Sequence, residues 1–135
     1  MPSVTLAEIR AGLGTNLSTI SGLRVAEEIP DNPQPPIAII ALNNIEYHQD
    51  FGNGAKYNFT IQVIVGRAAE RHAQRALDLY VNPYGSSSVK AGVESNRTLN
   101  GIVDDVVVES MPNVGSLQIN DQTYLAADFL VAVYI

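Results

Sequence analysis

Cysteine is absent from this 135-residue chain, histidine occurs twice, and lysine and arginine together number only eight. Without cysteine there is neither a disulfide framework nor a thiolate metal site, so the fold must rest on packing, with oligomerisation open as a further support. The few cations stand against fourteen Asp and Glu residues, leaving a formal charge of −6 and a pI near 4.7. That balance excludes tight nucleic-acid binding, because neutralising phosphates requires clustered Lys and Arg. No apolar run approaches the ~18 residues needed to span a bilayer. The opening Met1-Pro2-Ser3-Val4-Thr5 has no basic or apolar leader region. A soluble product of the cytoplasm, with no membrane partner, is expected. Without a leader, the Asn-x-Ser/Thr matches at Asn16, Asn58 and Asn96 read as chance.

Catalytic chemistry is equally thin. His48 and His72 have no partner at ligand spacing, so no metal site is expected. Asp104-Asp105 and Glu27-Glu28 are adjacent carboxylates, and neighbours in a strand point to opposite faces, which rules out a shared proton. Gly52-Asn53-Gly54 lacks the strand-to-helix setting of a phosphate-binding turn, and no Gly-Lys-Ser/Thr follows it. Gly85-Ser86-Ser87-Ser88 precedes a helix, and helix capping explains it. No serine sits in a Gly-x-Ser-x-Gly elbow. The chain is expected not to be an enzyme, with no catalytic, cofactor-binding or metal residues and no cofactor.

What is present is an ordered α+β pattern over residues 1–135, most simply a single domain. A domain of this length buries roughly two-thirds of the surface its unfolded chain exposes. Thr5-Leu6-Ala7-Glu8 fits a capping box, and Leu6, Ile9, Leu13, Leu17 and Ile20 then trace one helical stripe up to Ser21-Gly22. Gly12 and Gly14 each weaken that helix by roughly 1 kcal/mol relative to Ala, so docking must support it. Leu23 to Ile29 reads as a first strand, and Pro30, Pro33, Pro35 and Pro36 as a stiff surface connection. Ile37 to Leu42 is a continuous apolar run, expected as a central strand covered on both faces.

Tyr57, Phe59, Ile61, Val63 and Val65 alternate with Asn58, Thr60, Gln62 and Ile64, the signature of a strand with one buried face. Asn43 to Lys56 between them reads as a protruding hairpin arm bearing Ile45, Tyr47, His48 and Phe51. A helix is expected over Ala68 to Val81, followed by a break at Asn82-Pro83-Tyr84-Gly85 and a short helix over Val89 to Glu94 capped by serine. Strands follow at Val103 to Val108, at Leu117 to Ile119 and from Tyr124 onward, with Met111 to Gly115 as a connection and Asn120-Asp121 as a hairpin turn. Arg67, Arg71 and Arg75 recur at four-residue steps opposite the apolar stripe of Ala69, Ala73, Leu77 and Tyr80. Such a stripe is ordinarily a solvated helix face. The alternative is an interface with an acidic surface, which a second copy of this acidic chain supplies, and Arg suits it through bidentate pairing with carboxylates. The candidate interface residues are therefore Ile45, Tyr47, His48, Phe51, Arg67, Arg71 and Arg75.

Several segments, in order, carry a resemblance. They are Glu8 to Leu13 with Ile20 to Val25, Pro30-Asp31-Asn32-Pro33, Phe51-Gly52-Asn53-Gly54, Val65-Gly66-Arg67-Ala68, Ser87-Ser88-Val89-Lys90 and the closing Tyr124-Leu125 strand. Together they cover almost the whole chain, which resembles the tail-terminator proteins of long-tailed, non-contractile bacteriophages, in the form found in phages of actinobacteria. The resemblance implies an α+β fold with two main helices packed on a mixed, mainly antiparallel sheet. It further implies a homo-hexameric ring at the tail-neck junction of the virion, assembled in the host cytoplasm. Its partners would be the tail tube protein on one side and a neck or head-completion protein on the other. The ring would end tube elongation, and DNA would pass through its lumen without specific binding. The acidic balance fits, since a DNA channel should repel phosphates. Two alternatives remain: another neck or head-completion ring, and a small-molecule-binding α+β domain, which would need an apolar pocket with convergent polar groups.

Overall fold

The computed structural model describes residues 5–20, 22–26, 36–47, 54–67, 71–119 and 121–135. Helix α1 spans Leu6–Leu17 and begins where the Thr5 hydroxyl accepts the Glu8 amide at 3.2 Å. Its apolar stripe buries Ile9, Leu13 and Leu17 completely. The helix ends one turn before the expected stop, because local side chains compete for its last carbonyls. Ser18 Oγ donates to Thr15 O at 2.6 Å, and Thr19 Oγ1 to Asn16 O at 2.7 Å. Ile20 is still buried, and the chain reverses at Gly22, whose φ of +82° suits glycine.

Five strands follow: β1 Arg24–Ala26, β2 Ile37–Tyr47, β3 Ala55–Arg67, β4 Asp105–Ile119 and β5 Gln122–Tyr134. They form one sheet in the order β1-β2-β3-β5-β4, with β1 parallel to β2 and every other pair antiparallel. Helices α2 Ala73–Val81 and α3 Val89–Val93 complete the α+β architecture with α1. A short 3-10 turn over Glu94–Asn96 continues α3. The expected Ser88 cap forms, its hydroxyl accepting the Ala91 amide at 3.1 Å.

The alternation read in β3 sorts the two faces. Phe59, Ile61, Val63 and Val65 join Ala127, Phe129, Val131 and Val133 of β5 beneath the helices, forming the main core with Leu13, Leu77 and Val93. On the opposite face Ile37, Ile39, Ile64, Tyr124 and Ala126 form a smaller cluster at one end of the sheet. Of the run Ile37 to Leu42 expected to be covered on both faces, Ile37 to Ile40 are buried, whereas Ala41 is exposed and Leu42 half-buried. The middle strand of five is nonetheless β3 and not β2.

Three expectations are corrected. Of the arm expected over Asn43 to Lys56, residues 43–47 and 55–56 belong to β2 and β3 and continue the sheet, while residues 48–53 lie outside the described residues. A bulge between Leu42 and Asn44 shifts the register and keeps Ile45 on the core side beside Tyr57. Met111 to Gly115 is no connection either. It lies inside the 15-residue β4, where two register shifts accommodate Pro112 on an edge strand that needs no donor there. Finally, the expected helix over Ala68 to Val81 begins at Ala73. Arg67 closes β3 and Arg71 lies in a turn, so the three arginines do not share one helix. Residues 68–70 lie outside the described residues.

Glycine at position 12 has a packing reason. A Cβ there would stand 3.0 Å from Leu99 Cβ and Cδ1, and Leu99 itself is held at a φ of +49° in the turn that leads to β4. The weakened helix is thereby the helix that lets this turn close against it.

The outer edge of β4 is partly capped by its own chain. Glu94 Oε2 accepts the Val108 amide at 2.9 Å while Lys90 holds the other oxygen. Asp105 Oδ1 accepts the Val106 amide at 2.9 Å. Arg97 grips both oxygens of Asp105 at 2.8 and 2.7 Å. The hydrogen bond from that guanidinium holds the Asp105 carboxyl below its ordinary value, against the opposing effect of burial and with a lesser contribution from the Val106 amide. A lowered folded value means stability present above the ordinary carboxylate range and lost as pH falls through the folded value. Because the Asp105 side chain is 37% exposed, Asp105→Asn should cost less than about 1 kcal/mol at neutral pH. Urea unfolding of parent and variant should converge as pH drops below ~4. A difference that stays constant with pH would mean the ion pair is not its source.

Candidate functional site

The candidate interface residues do not converge. Ile45 is half-buried opposite Tyr57, and Tyr47 is 70% exposed opposite Ala55, at one end of the sheet. His48 and Phe51 lie outside the described residues. Arg67 sits at the other end of β3, paired with Tyr124. Since β3 has 13 residues, the two groups stand about 40 Å apart along the strand at roughly 3.3 Å per residue. Arg67, Arg71 and Arg75 are all exposed.

Around Arg75 the surface is mixed. Leu79, one turn on, is 55% exposed, and Tyr84, just past α2, is 78% exposed. Gln74 Nε2 donates to Asp78 at 3.1 Å, which occupies the one carboxylate of the helix. His72 is exposed at the start of α2 and makes no capping bond.

Polar residues of the uncovered sheet face were not singled out by sequence reasoning, although the polar half of the β3 alternation points to them. At the Tyr47 end, Lys56 lies 3.9 Å from Glu46 and 3.5 Å from Glu109, with its ammonium 5.8 Å from the Tyr134 ring centre. Partial burial pulls Lys56 down, but Glu109, Tyr134 and Glu46 outweigh it and raise the ammonium above its ordinary value. Asn58 donates to Asn44 at 2.6 Å and to Glu46 at 2.8 Å, bracing the same row. Further along, beside the kinked part of β4, a recess of about 200 Å³ opens between Gln62, Asp128, Asn113, Ser116, Leu117 and Ala126. A second hollow of about 210 Å³ lies between α1 and the Leu99–Ile102 turn, with Glu8, Gly12 and Thr15 on its wall.

Among the described residues no three His, Asp or Glu side chains gather as a metal site, and no helix is long and apolar enough to cross a membrane. Asp104 is exposed while Asp105 is held by Arg97, so the two carboxylates occupy separate environments. Glu27 and Glu28 lie outside the described residues. The arrangement is one of separated exposed surfaces: a cationic and apolar patch at α2, an exposed Tyr47 at the far end, and an uncovered sheet face bearing Glu46, Glu109 and Asp128. Compared with protein-family models and with curated protein sequences, the chain gives no match.

Proposed function

We propose that this chain is a structural virion protein, a tail terminator whose six copies form a ring on the last tail-tube ring, stop tube growth and join the tail to the neck. The observation that carries this reading is the separation of the two exposed candidate patches, Tyr47 and Arg67, at opposite ends of β3. A ring built from one kind of subunit uses heterologous contacts, in which different patches on one copy meet different neighbours. The α+β fold, with helices on one face of a mainly antiparallel sheet, is the class the sequence resemblance implies. The net charge of −6 suits a lumen through which DNA slides without sticking. A small-molecule domain is less well supported by the two recesses lined by described residues, which at near 200 Å³ fall below the ~300 Å³ at which ligand pockets begin.

The test is mass measurement and cross-linking of the full chain with and without purified tail tubes. Six copies should be found on the capped tube end, even if the isolated chain is monomeric. Only monomers on assembled tails, or a symmetry other than sixfold, would sink the assignment. Loss of the chain separates the two ring readings: overlong tubes mark a terminator, whereas tubes of normal length that fail to join heads mark another neck ring.

A further inference from the structure

We infer that the Asp128 recess on the uncovered sheet face receives the Arg75 side chain of a second copy, with Leu79 packing at its rim. This contact rests on the ring reading above and names one of its interfaces. Among the cations, Lys56, Lys90 and Arg97 are paired with carboxylates of the same chain. Arg67, Arg71 and Arg75 are exposed and form no ion pair with a described residue. Leu79 lies one turn beyond Arg75 and is 55% exposed, so this patch offers a cation beside an apolar surface. Its complement is a carboxylate set among apolar walls.

The same molecule carries that complement. Asp128 is half-buried and pairs across the sheet with Gln62 of β3 and Asn113 of β4. It makes no ion pair with a described residue, and the recess beside it is walled by Leu117 and Ala126. A partly desolvated carboxylate lacking a counter-ion is a site for a guanidinium. The planar fork can take both carboxylate oxygens while its methylene stem lies along apolar surface. Phosphate is repelled from the recess by Asp128, which is why a second acidic copy, and not nucleic acid, is the occupant.

The two surfaces cannot meet within one chain. Helix α2 packs on the core side of the sheet through Leu77 and Tyr80, whereas the recess opens on the other side. The contact is therefore head-to-tail, the kind that closes rings.

The absence of cysteine from the chain makes the test clean. Leu79→Cys and Ser116→Cys are both substitutions of exposed residues. With a mild oxidant added, the double variant should form a ladder of linked copies, while each single variant, having no facing thiol at this contact, should stay unlinked. Separately, Arg75→Asp and Asp128→Arg should each weaken association about tenfold or more, and the two together should restore it. Circular dichroism confirms that each variant is folded, and restoration in the double exchange excludes misfolding as the cause. If oligomers form without the disulfide ladder and ignore both charge reversals, this contact is wrong while the ring reading stands. A chain that gives neither association nor ladder at its highest soluble concentration also overturns the contact, and the tail-capping assay then judges the ring on its own.

Discussion

Asn16→Ala should destabilise the fold by about 2–4 kcal/mol, one of the largest losses expected from removing a single polar group. Asn16 is only 4% exposed, and its amide donates to Val93 O at 2.7 Å and to Asn96 O at 3.0 Å. Those carbonyls belong to the last residue of α3 and the last residue of the 3-10 turn that follows, so the Asn16 amide ties α1 to the end of that helix. Truncation removes both bonds at once and leaves a small void beneath α1, although Asn96 O keeps the Leu99 amide at 3.1 Å. The cost should appear as a fall of roughly 10 °C in thermal midpoint for a domain of this size. Asn16→Leu separates the causes, because it restores volume and not the donors. If Leu recovers most of the stability, packing and not hydrogen bonding is what Asn16 supplies.

That asparagine shows where sequence reading stops. In the sequence it is one of three Asn-x-Ser/Thr matches read as chance, yet each has structural work. Asn16 ties α1 to α3, Asn58 braces Asn44 and Glu46 across two strands, and Asn96 donates to Asn100 Oδ1 in the turn before β4. Long-range hydrogen bonds leave no periodic trace. Periodic features were legible: the α1 stripe, the Thr5 cap and the alternation of β3 and β5; of the expected Asn120-Asp121 turn, Asn120 lies outside the described residues, while Ile119 faces Gln122 on its two sides. Irregular ladders were not. Proline and glycine within β4 look like a connection because the rule against them holds for interior strands, whereas β4 is an edge in which a register shift takes up Pro112 and Gly115 pairs in register with Ala126. The polar run from Asn43 looks like a loop because one sheet face there is uncovered, so polar residues satisfy the strand pattern as well as a loop pattern.

The candidate contact surfaces were legible only in part, for the same reason. A four-residue recurrence of arginines looks like a helix stripe whatever backbone carries it. Here a strand end, a turn and a helix carry Arg67, Arg71 and Arg75 respectively. Leu79 and the Asp128 recess had no signal of their own, since exposure and concavity are properties of the folded surface.

Replacing Arg67, Arg71 and Arg75 together by Glu should abolish ring assembly on tail tubes while leaving the monomer folded. None of the three contributes to the core, and all are exposed. Surface ion pairs of that kind are worth little to folding, at most ~1 kcal/mol each. Across an interface the same charges matter more. Like-charge juxtaposition costs several kcal/mol, and reversing three cations against an acidic neighbour sets repulsion where attraction steered the encounter. The parent's assembly should therefore weaken as salt rises, and the variant should recover some assembly in high salt as its repulsion is screened. Purified chain, tubes and heads are the material, with tail length and head joining scored by electron microscopy at low and moderate salt. If the triple variant caps and joins as well as the parent in both, the arginines are a solvated surface and the ring is held together elsewhere.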